Sequence, residues 1–279
     1  MCIRDRRIAI KVLSASFRDH PEVHARFRRE ARAASAVESE HIVQVFDVGH
    51  EPDVGLYMVM ELLSGEDLEA RLRREKCLNA ELVKAIARQV LRGLAKAHAA
   101  GVVHRDLKPA NVFLVPKEDG SLLVKLVDFG ISKFAEELPS RASGTAITRI
   151  GHVIGTPQYM SPEQAQGLPS LDHRTDIWSL GALLYECLAG VPPIPEAPTY
   201  EQTIVRIVTT RPEPLLSKAP WVPPRLATAV DGALQSDPNA RHVDCATFLR
   251  AIDEEASVHR ESALPVLSLI HISEPTRPY

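Results

Sequence analysis

His104-Arg105-Asp106-Leu107-Lys108-Pro109-Ala110-Asn111 carries three functional groups on one short loop. Asp106 can accept a proton, Lys108 can hold a negative charge, and Asn111 can ligate a metal. Downstream, Leu122 to Val127 is a hydrophobic run that reads as a strand. Asp128-Phe129-Gly130 follows it directly. Each piece alone is a weak signal; in this order and spacing, coincidence is a poor explanation.

Upstream of the loop, Arg7 to Leu13 (R-I-A-I-K-V-L) has a β-branched strand pattern with Lys11 inside it. Pro21 to Val37 has helical periodicity, with Val23, Phe27 and Ala31 on one face and Glu30 beside them. His20 and His24 lie four apart without an H-E-x-x-H pattern and read as surface residues. His41 to Val48 and Leu56 to Glu61 are two further strand-like runs, separated by a turn from Gly49 to Gly55. Asn79 to Ala99 is a long amphipathic helix whose stripe is Leu82, Ile86, Val90, Leu94 and Ala97. Gly101 ends it and delivers the chain to the loop.

Beyond the loop, Asp176 to Leu188 is apolar almost all round and is expected to be buried. The proline-rich stretch from Gly190 to Pro198 reads as a rigid surface connection. Helices are expected over Tyr200 to Val208, Leu226 to Leu234 and Cys245 to Glu255. No internal repeat is visible.

These motifs resemble the catalytic core of the protein kinases, and their wording (V-K-L-V-D-F-G-I-S-K, G-T-P-Q-Y-M-S-P-E-Q-A) is similar to the bacterial serine/threonine kinases. The resemblance covers Arg7 to about Glu255. It implies an α+β, bilobal kinase-like fold: an incomplete small β-rich N-lobe with one regulatory helix over 7–63, and a mainly helical C-lobe over 64–258.

The resemblance also implies roles. Asp106 takes the proton of a substrate hydroxyl, Lys108 neutralises the γ-phosphate, and Asn111 and Asp128 hold Mg2+, a hard cation suited to oxygen ligands. Lys11 holds the α- and β-phosphates of ATP and is aimed by Glu30. Met60 stands beside the adenine, while the Glu61 carbonyl and Leu63 amide hydrogen-bond its edge. Gly65 opens the turn into the helical lobe. Lys108, with Thr156 matching a threonine that contacts the catalytic aspartate, points to serine/threonine rather than tyrosine specificity. Asp176 matches a brace of the catalytic-loop backbone, and Arg241 the arginine that pairs with Glu163 of the S-P-E motif. Asp128 to Glu163 corresponds to the activation segment. There Arg105 and Lys133 would receive an activating phosphate, with Thr148 the main expected site and Thr145 a weaker one.

The implied partners are protein substrates bearing serine or threonine, with autophosphorylation in trans. A formal net charge of -3 gives no global bias toward nucleic acid or anionic membrane. The four cysteines are scattered without a C-x-x-C, which argues for a reducing compartment and against a disulfide framework or zinc site. No apolar run reaches the ~20 residues of a membrane span. A soluble, cytoplasmic molecule is expected, whose parent could carry an anchor elsewhere.

The family's glycine-rich loop has no counterpart before Lys11. The ends, residues 1–6 (MCIRDR) and 267–279 (LSLIHISEPTRPY), fit no element and resemble translated adapter sequence; the tail is expected to be disordered from residue 259. An N-terminally truncated kinase, binding ATP weakly and turning over poorly, is the expectation. A non-catalytic kinase-like binding module is the alternative.

Overall fold

The computed structural model describes residues 7–12, 27, 35–51, 53–129 and 157–253. The expected leader, the helix with Glu30, the tail, and Lys133, Thr145, Thr148 and Thr156 lie outside the described residues.

The chain opens on an antiparallel sheet of β1 (Ile8–Val12), β2 (Val45–Glu51) and β3 (Gly55–Glu61), in the order β1-β3-β2. Strand alternation turns Leu56, Met58 and Met60 of the central strand to one side, where they pack with Phe27 and Val43. Lys11 pairs with Met58 in the register.

The run expected as one strand from His41 to Val48 is divided. Leu126 donates to His41 O (2.8 Å) and Val43 donates to Leu126 O (2.9 Å), so this stretch joins the second sheet before β2 begins at Val45. Backbone groups must find partners, and here the other sheet supplies them. The turn expected over Gly49 to Gly55 is also shorter, because β2 runs on to Glu51.

The second sheet contains β4 (Glu66–Asp67), β5 (Val112–Pro116) and β6 (Leu122–Leu126) in the order β4-β5-β6. Between the sheets lies Gly65, with φ 146°; a Cβ there would sit 2.1 Å from Leu114 O. Glycine alone allows this approach.

The remaining described elements are mainly helical: α1 (Leu68–Glu75), α2 (Ala80–Ala99), α3 (Pro162–Ala165), α4 (Arg174–Ala189), α5 (Tyr200–Thr209), α6 (Leu215–Lys218), α7 (Pro224–Ala233) and α8 (Cys245–Asp253). Asp67 caps α1 by accepting from Ala70 N (2.7 Å), and Asn79 caps α2 by accepting from Leu82 N (2.9 Å). The buried face of α2 is broader than the expected stripe. Val83, Ala87 and Leu91 are buried with Ile86, Val90, Leu94 and Ala97, whereas Leu82 is only half-buried. The difference arises because β6, α4 and α8 all pack on α2.

Helix α4 is buried almost throughout. A Cβ on Gly181 would lie 2.8 Å from the Ala233 Cβ, so α7 approaches α4 without a side chain between them. Truncating a core leucine such as Leu180 is expected to cost about 2–5 kcal/mol. Among the described residues no helix is long and apolar enough to cross a membrane, and Cys77, Cys187 and Cys245 are free thiols.

Candidate active site

The β5–β6 hairpin assembles the site. Asn111 stands immediately before β5, and Asp128 follows Leu126, the last residue of β6, by two. The register pairs Val112 with Leu126, and Val127 N donates to Asn111 O at 3.0 Å. Antiparallel pairing therefore sets the two distant motifs side by side.

Within the loop, Lys108 Nζ lies 2.9 Å from Asp106 Oδ2. Asn111 Nδ2 donates to Asp106 O (2.7 Å) and to Asp106 Oδ2 (3.1 Å). A carbonyl oxygen only accepts, so the Asn111 amide must turn its nitrogen toward it. Among the described residues nothing donates to Asn111 Oδ1. Asp128 Oδ2 lies 2.6 Å from Lys11 Nζ, which brings β1 to the same place.

Asn111 Oδ1 and the Asp128 carboxylate are hard oxygen donors on adjacent backbone segments. That donor chemistry fits Mg2+, which takes few protein ligands and keeps several waters.

Two further links hold the site. His104 is fully buried, with Nε2 3.1 Å from Val127 O and its ring centroid 4.5 Å from that of Phe129. Burial lowers its pKa against the upward pull of Asp176, Asp106 and Asp128. Asp176, at the start of α4, is also fully buried; its Oδ2 accepts from His104 N and its Oδ1 from Arg105 N, both at 2.8 Å. Burial alone would raise the Asp176 pKa, but the hydrogen bonds from the His98 side chain and the His104 amide, with the two imidazoles close by, bring it below the ordinary range. This anchoring matters because Arg105 (φ 63°) and Asp128 (φ 59°) both hold left-handed backbone, a costly conformation for such residues.

Met60 is buried and lines a small cavity with Val45, Met58, Asp128 and Phe129. Glu61 is held by its side chain: Oε1 accepts from Gln44 N (2.7 Å) and lies 2.6 Å from Lys125 Nζ. Leu63 packs against the small core. Glu163 and Arg241 form a bidentate pair, with both N–O distances 2.7 Å. Arg241 also donates to the carbonyls of Gln235, Arg174 and Ser236 and lies over the Trp178 ring at 5.1 Å.

Of the residues singled out from sequence, the structure brings Lys11, Asp106, Lys108, Asn111 and Asp128 into one cluster, with Asp176 supporting it. Met60 joins it through the cavity that Asp128 also lines, while Glu163 and Arg241 form a separate buried pair. The sequence reading missed His98, Lys125 and Cys245. Lys125 lies inside a strand pattern, and His98 and Cys245 in helix patterns, so nothing in their spacing marked them.

A protein kinase domain model matches residues 2–250. The chain belongs to the protein kinase domain family. It is similar to the serine/threonine-protein kinase pkn3 of Myxococcus xanthus, with 38% identity over 256 residues, covering 90% of this chain and 46% of the relative. It is 37% identical over 254 residues to the serine/threonine-protein kinase PknA of Corynebacterium glutamicum, covering 87% and 49%. The chain thus spans about half the length of these curated relatives. Among solved structures, the Mycobacterium tuberculosis PknI kinase domain matches with a TM-score of 0.66 and 30% identity, covering 88% of this chain and 84% of that one. Rad53 1-466 in complex with AMP-PNP matches with a TM-score of 0.67 and 27% identity, covering 88% and 57%.

Proposed function

We propose that this chain is the catalytic part of an ATP-dependent serine/threonine protein kinase, with a small lobe over 7–63 and a helical lobe over 64–258. The observation that carries this is the β5–β6 register, which sets the loop of Asp106, Lys108 and Asn111 beside the Lys11–Asp128 pair. Similarity to Rad53 bound to AMP-PNP supports ATP as the nucleotide.

In this reading the adenine edge meets the backbone of Glu61 and Leu63, beside Met60. Lys11 holds phosphate oxygens, a role its position 2.6 Å from Asp128 supports. Asn111 and Asp128 would hold Mg2+, which supplies neutralisation of phosphate charge when bound. The substrate hydroxyl oxygen forms the new bond to the γ-phosphorus as the bond to the β–γ bridging oxygen breaks. ADP leaves, and the hydroxyl proton passes to Asp106. Lys108, poised 2.9 Å from Asp106, offsets the charge on the transferred group.

Arg105 makes no side-chain hydrogen bond or ion pair among the described residues. This suits a guanidinium that receives a phosphate, with Lys133 as its second basic partner. Thr148 is the proposed principal site and Thr145 a lesser one, phosphorylated in trans by a second copy. Thr156 is proposed to contact Asp106, and Glu30 to aim Lys11. Mass spectrometry of active protein that found no phosphate between Ser140 and Thr148 would remove this part.

The decisive experiment joins binding with turnover. Mg-ATP raises the melting temperature, and radiolabelled γ-phosphate passes to a generic basic protein. Asp106→Asn lowers transfer by about 10²- to 10⁴-fold while keeping the thermal shift. Unchanged transfer by Asp106→Asn would overturn the assignment, and binding without any transfer would favour the non-catalytic module.

A further inference from the structure

Cys245 begins α8, a helix that contributes nothing to the cluster around Asp106. Its side chain is buried, and Sγ lies 3.5 Å from His98 Nδ1. The other ring nitrogen, His98 Nε2, lies 2.8 Å from Asp176 Oδ2. The Asp176 carboxylate in turn accepts the His104 and Arg105 amides, both at 2.8 Å. The chain of contacts is unbroken from α8 to the backbone of the loop that carries Asp106.

We propose that Cys245 is a positioning residue for the catalytic loop: its thiol donates to His98 Nδ1 and holds the imidazole as the tautomer that donates from Nε2 to Asp176. The consequence for turnover rests on the kinase reading; the hydrogen-bond chain does not.

An ionised carboxylate only accepts, so the nitrogen facing Asp176 carries a hydrogen. A neutral ring then presents a lone pair at Nδ1 on a side chain only 11% exposed, where a protein donor satisfies it. Among the described residues Cys245 is the group placed to supply it. His173 lies close, with ring centroids 5.4 Å apart, but its Nε2 is engaged with Val243 O at 2.9 Å. Burial, with the charges of Asp176 and Asp244, pushes the Cys245 thiol up and keeps its proton in place.

The geometry gives this donor leverage. Asp176 Oδ2 serves His98 and His104 together, so a ring that turns away from Asp176 releases one of the two constraints on that oxygen. The next residue, Arg105, is in left-handed backbone and depends on its own bond to Asp176.

The test compares Cys245→Ala, which removes the donor, with Cys245→Ser, which keeps one, in the full chain. Nitrogen-15 spectra read His98 Nδ1 and the amides of His104 and Arg105. All three resonances are expected to move in Cys245→Ala and to stay near their original positions in Cys245→Ser. Transfer by Cys245→Ala is expected to lose about three- to tenfold in kcat, with nucleotide KM unchanged and kcat restored by serine. Unmoved resonances in Cys245→Ala would overturn the proposal whatever the activity. Equal kcat losses in both variants, tracking lost stability, would also overturn it by reducing Cys245 to packing. Wild-type protein without transfer would defeat the kinase reading, while the three resonances would still decide the positioning role.

Discussion

Lys11 and Asp128 meet at 2.6 Å, one from the first sheet and one from the end of the second. Their side chains are 40% and 28% exposed, so water screens the pair. Such a pair contributes only about 0–1 kcal/mol to stability. In the proposed function its value lies in bringing a cation and a carboxylate together for phosphates and a metal. Lys11→Met is therefore expected to leave the melting temperature almost unchanged. Nucleotide affinity should fall by about tenfold or more, measured by calorimetric titration of Mg-ATP.

Asn111 is buried, and its amide is the described donor to the carbonyl of Asp106. Asn111→Ala leaves that carbonyl without its partner. A destabilisation of about 1–3 kcal/mol is expected in urea titration. Transfer should fall further than stability does, since the same substitution removes the oxygen proposed to hold Mg2+. Equal losses at saturating and limiting Mg2+ would contradict the metal role.

The Glu163–Arg241 pair is buried, with side-chain exposures of 10% and 0%. Removing one member strands the other. Glu163→Gln is expected to cost about 3 kcal/mol in chemical denaturation. Arg241→Ala should cost more, because three carbonyls and the Trp178 face lose their partner as well. Joint replacement by Met and Leu should recover part of the loss, since two buried charges leave together.

Acid should destabilise the fold in two stages. Burial holds the His104 and His242 pKa values below the ordinary 6.5. The unfolded chain thus takes up protons that the folded chain refuses, so their contribution is complete above about pH 6.5 and is lost as pH falls below it. The second stage concerns carboxylates. Burial would raise Glu163, but the Arg241 hydrogen bonds lower it below its ordinary 4.5; Asp176 is likewise held below 3.8. Their contribution is present above those values and disappears as pH drops through the depressed ones. Thermal melts from pH 8 to pH 3 check both stages, and His242→Gln should flatten the first.

The residues of the cluster were legible because the proposed phosphoryl transfer needs particular functional groups at fixed spacing on a short loop. The strand of Lys11 and the buried helix α4 were equally plain, since alternation and all-round apolarity are local properties of the chain. Their convergence was not local. The register of β5 with β6 sets Asn111 beside Val127, and a pairing between separate strands leaves no mark within either. The same holds for His41 to Val43, whose alternation fits either sheet until Leu126 claims its backbone groups. His98 and Cys245, 147 positions apart in sequence, meet through the packing of α2 against α8. Motif chemistry is written residue by residue, whereas hydrogen-bond partners across the core exist after burial has chosen which surfaces face each other.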